Sequence, residues 1–150
     1  MQFFTVNLFA QETPGEDYYL CHYFINGTLK TDKIKYFQVF DDRMYDGQYL
    51  EGEWIYDFPN GEYKDDFNID EEDLEDIFFL YPGDHVIVQI SRVEKGYYQF
   101  VRDCIQEQRG SNPMFGGPPA NIHTNISNGG IGYFASYYIN VGDAVAPLED

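Results

Sequence analysis

The stretch HVIVQISRVEKGYYQFVRDCIQEQRG, residues 85–110, changes its hydrophobic period partway along, and that change decides the fold class. Over His85–Val93, Val86, Val88 and Ile90 alternate with Ile87, Gln89 and Ser91, the two-residue repeat of an extended strand. Beyond Glu94 the stripe falls at three- and four-residue spacing through Tyr97, Val101, Cys104 or Ile105, and Gln108. That spacing predicts an amphipathic helix over residues 94–109, with Gly110 suited to cap its end.

Outward from this unit the chain reads as strands and turns. Residues 3–9 alternate; Glu12–Asp17 turns at Pro14-Gly15; Tyr18–Ile25 is a second strand ending in the hairpin signal Asn26-Gly27. Lys35–Asp41 and Gln48–Phe58 are also extended, separated by a loop through Asp46-Gly47 and closed by Pro59-Asn60-Gly61. The 14 tyrosines and 13 phenylalanines favour strands as well. Downstream, Asn112–Gly132 is a long loop rich in Gly, Pro and Asn that carries Met114, Phe115, Ile122 and Ile126 at intervals. Loops of this length are uncommon in compact domains. Its spaced apolar residues predict a structural clasp pinned to the body, followed by a closing strand over Gly132–Asn140. The expected fold is mainly β, an antiparallel sandwich or barrel of about seven strands with one helix across a face or an end. It is expected to form a single domain over residues 1–150.

Nine basic residues against 26 acidic ones give a net charge of −17. Such a field repels phosphate backbones and anionic membrane surfaces, so nucleic acid is excluded as a partner, whereas cationic partners and divalent ions are compatible. No apolar run reaches the roughly 18 residues of a membrane span, and Met1 leads directly into a strand-like segment instead of a signal peptide. Cys21 and Cys104 lie far apart and have no zinc spacing. Either one long-range disulfide or two buried free thiols fits them.

Glu62–Asp76 holds nine acidic residues and one lysine. Within it, Asp66-x-Asn68-x-Asp70 opens like a calcium loop, but Glu71 and Ile77 stand where an EF-hand requires Gly and a bidentate Glu. What remains is loose calcium binding by Asp65, Asp66, Asp70 and Asp73, weighed against a solvated acidic loop. No other metal and no cofactor is implied. His22, His85 and His123 lack ligand spacing, and no nucleophile or phosphate-cradling motif occurs. The expectation is therefore a non-enzymatic protein. Tyrosine supplies the stronger hint, because a flat apolar ring with a polar tip suits recognition surfaces. Neighbours in a strand face opposite ways, so if Tyr19 and Tyr137 of the pairs Tyr18-Tyr19 and Tyr137-Tyr138 face inward, Tyr18 and Tyr138 are candidates for an outer partner surface, or the reverse, against ordinary cross-strand packing.

Four segments in order carry a resemblance over nearly the whole chain: Pro14–Tyr19, Phe40–Gln48, Gly83 through Tyr98, and Pro118–Ala135. Together they resemble the C-terminal part of the Bacteroidetes envelope family called domain of unknown function 4249. The resemblance implies an exported lipoprotein of the periplasm or outer-membrane surface, associated with TonB-dependent transporters and often preceded by an immunoglobulin-like domain. The lipobox cysteine and that leading domain are not among these residues, so an excised domain behind an added Met is expected. The implied function is an envelope binding or accessory module that takes a protein partner or a small nutrient ligand. The alternative is a small-ligand barrel with inward aromatics lining a cavity, and an enzyme ranks third.

Overall fold

Tyr18–Ile25 (β2) is the axis of the molecule, because its two faces bury into two different cores. The computed structural model describes residues 2–110, 122–130 and 132–148. β2 pairs antiparallel along its full length with His85–Val93 (β6), in a register that sets Cys21 beside Ile90, Tyr23 beside Val88 and Ile25 beside Val86. Its other edge is shared by two short strands, Gln38–Asp41 (β4) along Tyr18–Cys21 and Thr28–Leu29 (β3) along Phe24–Ile25. Tyr138–Val145 (β7) pairs with the outer edge of β6 and completes a five-stranded sheet.

Phe3–Gln11 (β1) and Tyr49–Pro59 (β5) form a separate antiparallel ribbon. Its Phe4 and Phe58 pack on Cys21, Tyr23, Ile25 and Val86 of the larger sheet, with Leu80 and Ala146 closing the margin. The opposite face of the sheet presents Tyr18, Leu20 and Val93 to Lys95–Gly110 (α2), whose Tyr98 joins that second core. The fold is thus a two-sheet β-sandwich with one long helix on its outer face, and the sheets do not close into a barrel. A one-turn helix, Glu71–Leu74 (α1), lies in the acidic block.

Most elements fall where periodicity puts them. β2 and β6 match residue for residue, and Asn26 and Gly27, at φ of 50° and 78°, make the left-handed pair that the hairpin turn requires. Two strands differ. Residues Ile34–Tyr36 form a 3-10 turn, so β4 starts only at Gln38. There Lys35 pairs with Asp76 at 2.6 Å and the Tyr36 hydroxyl donates to the same carboxylate, which turns both side chains out of a strand register. The closing strand spans Tyr138–Val145 and not Gly132–Asn140. Tyr133 and Tyr137 lie instead against Tyr97 of α2, with ring centroids 5.7 and 6.1 Å away, and pairing begins only where Tyr138 meets Arg92.

Of the clasp residues, Met114 and Phe115 lie outside the described residues. Ile122 is half-buried and Ile126 is exposed. Here polar groups and aromatic rings share the holding of the loop. The Asn125 side chain accepts from the Phe134 N–H at 2.9 Å and donates to its carbonyl at 2.7 Å, imitating a strand partner, while Asp103 accepts from the His123 N–H at 3.0 Å. Apolar anchorage comes from Tyr133, whose ring also stands 5.7 Å from Phe100.

Candidate functional site

The ribbon and the sheet seal against each other at one end and part at the other. The inward residues of β1 run Phe4, Val6, Leu8, Ala10, so the side chains filling the interlayer shrink toward the end of the strand. Two register shifts against β1 bend β5 over the same stretch, one of them at Gly52, where φ is +81° and a Cβ would stand 3.2 Å from the Phe9 ring. The result is an open groove of about 500 Å3 lined by Leu8, Leu50 and Trp54 from the ribbon, and by Tyr19, Phe40 and Ile90 from the sheet. Trp54, the sole tryptophan, is 62% exposed at its rim. Tyr19 stacks on Phe40 with centroids 5.4 Å apart, and Tyr45 donates to Glu53 at 2.9 Å across the mouth.

One wall of the groove is acidic. Residues 12–17 carry the chain from β1 to β2 and residues 42–48 from β4 to β5, so both crossings between the layers run side by side. The Glu12 N–H donates to the Gln48 carbonyl at 3.0 Å, and the Asp42 N–H to the Asp17 carbonyl at 3.3 Å. Carboxylates take backbone donors across the gap: Asp42 Oδ1 from Asp17 at 3.1 Å, Asp46 Oδ1 from Gly15 at 2.8 Å, and Glu12 Oε2 from Gly47 at 3.2 Å. Gly47 is required there, with φ at +69° and the Pro14 ring 3.3 Å from where a Cβ would sit. Glu12 and Asp42 are only 6% and 3% exposed. Tyr19 donates to Glu12 Oε1 at 2.5 Å, and burial followed by that carboxylate pushes its hydroxyl well above the ordinary tyrosine range, which keeps it a donor.

Among the described residues, Glu12, Asp42 and Asp46 are the carboxylates that converge at metal-ligand distance, and the group contains no histidine or cysteine. The candidates chosen from sequence fall elsewhere. Asp65, Asp66, Asp70 and Asp73 are all exposed along the acidic block and face solvent. Tyr18 is buried under α2 against Tyr98, with centroids 4.7 Å apart, while Tyr138 is 71% exposed on the edge strand. Both border one shallow depression, but only Tyr138 offers an open ring. Cys21 is a buried free thiol and Cys104 a partly buried one.

The groove was not visible in the sequence. Its aromatics come from β2, β4, β5 and, for Tyr45, the crossing between β4 and β5, and only the register between layers brings them together. One signal was present: Glu12-Thr-Pro-Gly-Glu-Asp17 and Asp41-Asp-Arg-Met-Tyr-Asp-Gly47 are both turn segments dense in acid; the second lies within a segment that carries the family resemblance and the first overlaps one from Pro14 onward.

The family described as Domain of unknown function (DUF4249) matches residues 2–140. No curated protein and no solved structure matches the chain.

Proposed function

The chain belongs to the DUF4249 family, a domain of unknown function, and on that premise we propose that it is a non-enzymatic binding module of the bacterial cell envelope. It would work at the periplasmic or outer-membrane surface, and its partner would be a TonB-dependent transporter. The observation that carries the binding reading is the groove, where Tyr19, Phe40, Tyr45 and Trp54 surround a space bordered by Glu12 and Glu53. Aromatic side chains offer large contact area at low cost in conformational entropy, and a neighbouring acidic wall attracts lysine or arginine from a partner segment. An extended segment with one apolar anchor and a flanking cation fits this chemistry. A small nutrient ligand is the second reading, favoured by a volume of about 500 Å3, which falls within the range of small-molecule sites.

Pull-down of the purified transporter at micromolar concentration tests the proposal. A complex is expected with the wild-type chain, and Trp54→Ala is expected to weaken it at least about tenfold, as loss of an aromatic anchor does. Absence of a complex, with Trp54 fluorescence responding instead to a small nutrient, would move the assignment to the second reading.

A further inference from the structure

We infer that Glu12, Asp42 and Asp46 form a calcium site that fastens the two crossings between ribbon and sheet beside the groove. One oxygen from each lies within 4.8 Å of those from the other two. That spacing suits a shared hard cation, since two oxygens on opposite sides of a calcium ion at about 2.4 Å would stand about 4.8 Å apart. A second observation is independent of the clustering. Asp42 Oδ2 is, among the described residues, the one buried side-chain polar atom without a hydrogen-bond partner. A carboxyl oxygen left without a partner in a nearly dry site is costly, and a cation would satisfy it.

The surrounding basic groups are engaged with other acids. Arg92 pairs with Asp17, Arg43 with Asp41 at 2.8 Å, and Lys95 with Glu16 at 3.1 Å. The trio therefore sets three carboxylates together within a chain of net charge −17, and calcium would remove their mutual repulsion. An all-oxygen donor set favours calcium over zinc, and ligands on two irregular loops favour it over magnesium, which demands a small and near-ideal octahedron. Water would complete the sphere. Because Glu12 and Asp42 also line the groove, the ion would fix the separation of ribbon and sheet at that end whatever occupies the space.

The test uses metal-stripped protein in about 150 mM salt, which screens diffuse attraction to the acidic surface. Calcium at ten times its dissociation constant should raise Tm by about 3–6 °C, with a dissociation constant near the 0.1–1 mM typical of extracellular modules. Terbium should luminesce on excitation of tyrosine, because Tyr19 donates directly to Glu12. Asp46→Asn, at an exposed position, should fold normally and lose at least about tenfold in calcium affinity. Asp42→Asn should lose at least as much and, without metal, should melt no lower than wild type, since it replaces one of three crowded carboxyl groups with an amide whose N–H groups can donate to the other two. The variant carrying Asn at Asp65, Asp66, Asp70 and Asp73 should keep both signals. The inference is overturned if calcium leaves Tm unchanged, if magnesium acts equally at equal concentration, if Asp46→Asn binds like wild type, or if the signals follow the acidic-block variant.

Discussion

The same two layers meet twice, and the two meetings differ in kind. At one end Phe4, Tyr23 and Phe58 close on each other, with Tyr23 and Phe58 perpendicular at 5.3 Å and both fully buried. At the other end the ribbon offers Leu8 and Ala10, the strands bend apart, and buried carboxylates replace buried rings. The difference teaches that one interlayer can be closed by rings at one end and left open over carboxylates at the other. Edge-to-face aromatic packing removes area from water at the sealed end. The open end keeps its rings accessible and its charges close together.

The largest expected effect lies at the sealed end. Phe58→Ala should cost about 3–5 kcal/mol in chemical denaturation, because a fully buried ring leaves a cavity that two sheets cannot collapse into. A loss below about 1 kcal/mol would mean that the two ends are equally loose.

An intermediate effect depends on pH. Burial pushes the Cys21 thiol from its ordinary 9.0 up to about 11. The folded chain therefore keeps the thiol neutral while the unfolded chain ionises it, so stability that is complete below pH 9 is lost as pH rises toward 11. About 2–3 kcal/mol of this thiol's contribution should vanish over that window, and Cys21→Ala should make the decline shallower by that amount, leaving the part that comes from the buried tyrosines Tyr19, Tyr23 and Tyr56, whose hydroxyls burial also pushes up. Parallel alkaline profiles for the two proteins would show that the sealed end admits water.

The smallest stability effect belongs to the groove. Trp54→Ala should change unfolding free energy by less than about 1 kcal/mol, since most of the ring is already in water. Together with the loss of transporter binding expected for the same variant, that result would separate recognition from folding. A large destabilisation would instead make Trp54 part of the core.

How much was legible follows the range of the interactions concerned. β2, β6 and α2 could be read because period two and period 3.6 are properties of consecutive residues. The family could be read from four ordered segments, and its match over residues 2–140 bears that out. Tyr133 and Tyr137 were read as strand because aromatic residues favour strands, but the helix beneath them competes for the same rings and wins them. The clasp was read from apolar residues of which Met114 and Phe115 lie outside the described part, and within that part Asn125 and Asp103 add polar ties that the apolar pattern does not show. A polar side chain standing in for a strand partner leaves no periodic trace.

The sequence alone determined the antiparallel β class, the late helix, the Asn26-Gly27 hairpin and the excess of negative charge. Each is local or additive, fixed by neighbours along the chain or by a sum over it. Tertiary structure decided which acids converge. The conspicuous block at Glu62–Asp76 contributes exposed carboxylates, while Glu12, Asp42 and Asp46, scattered among turn residues, each bring one carboxyl oxygen within 4.8 Å of the others. Convergence of that kind depends on sheet register and on the path of two crossings, and no run of consecutive residues encodes either.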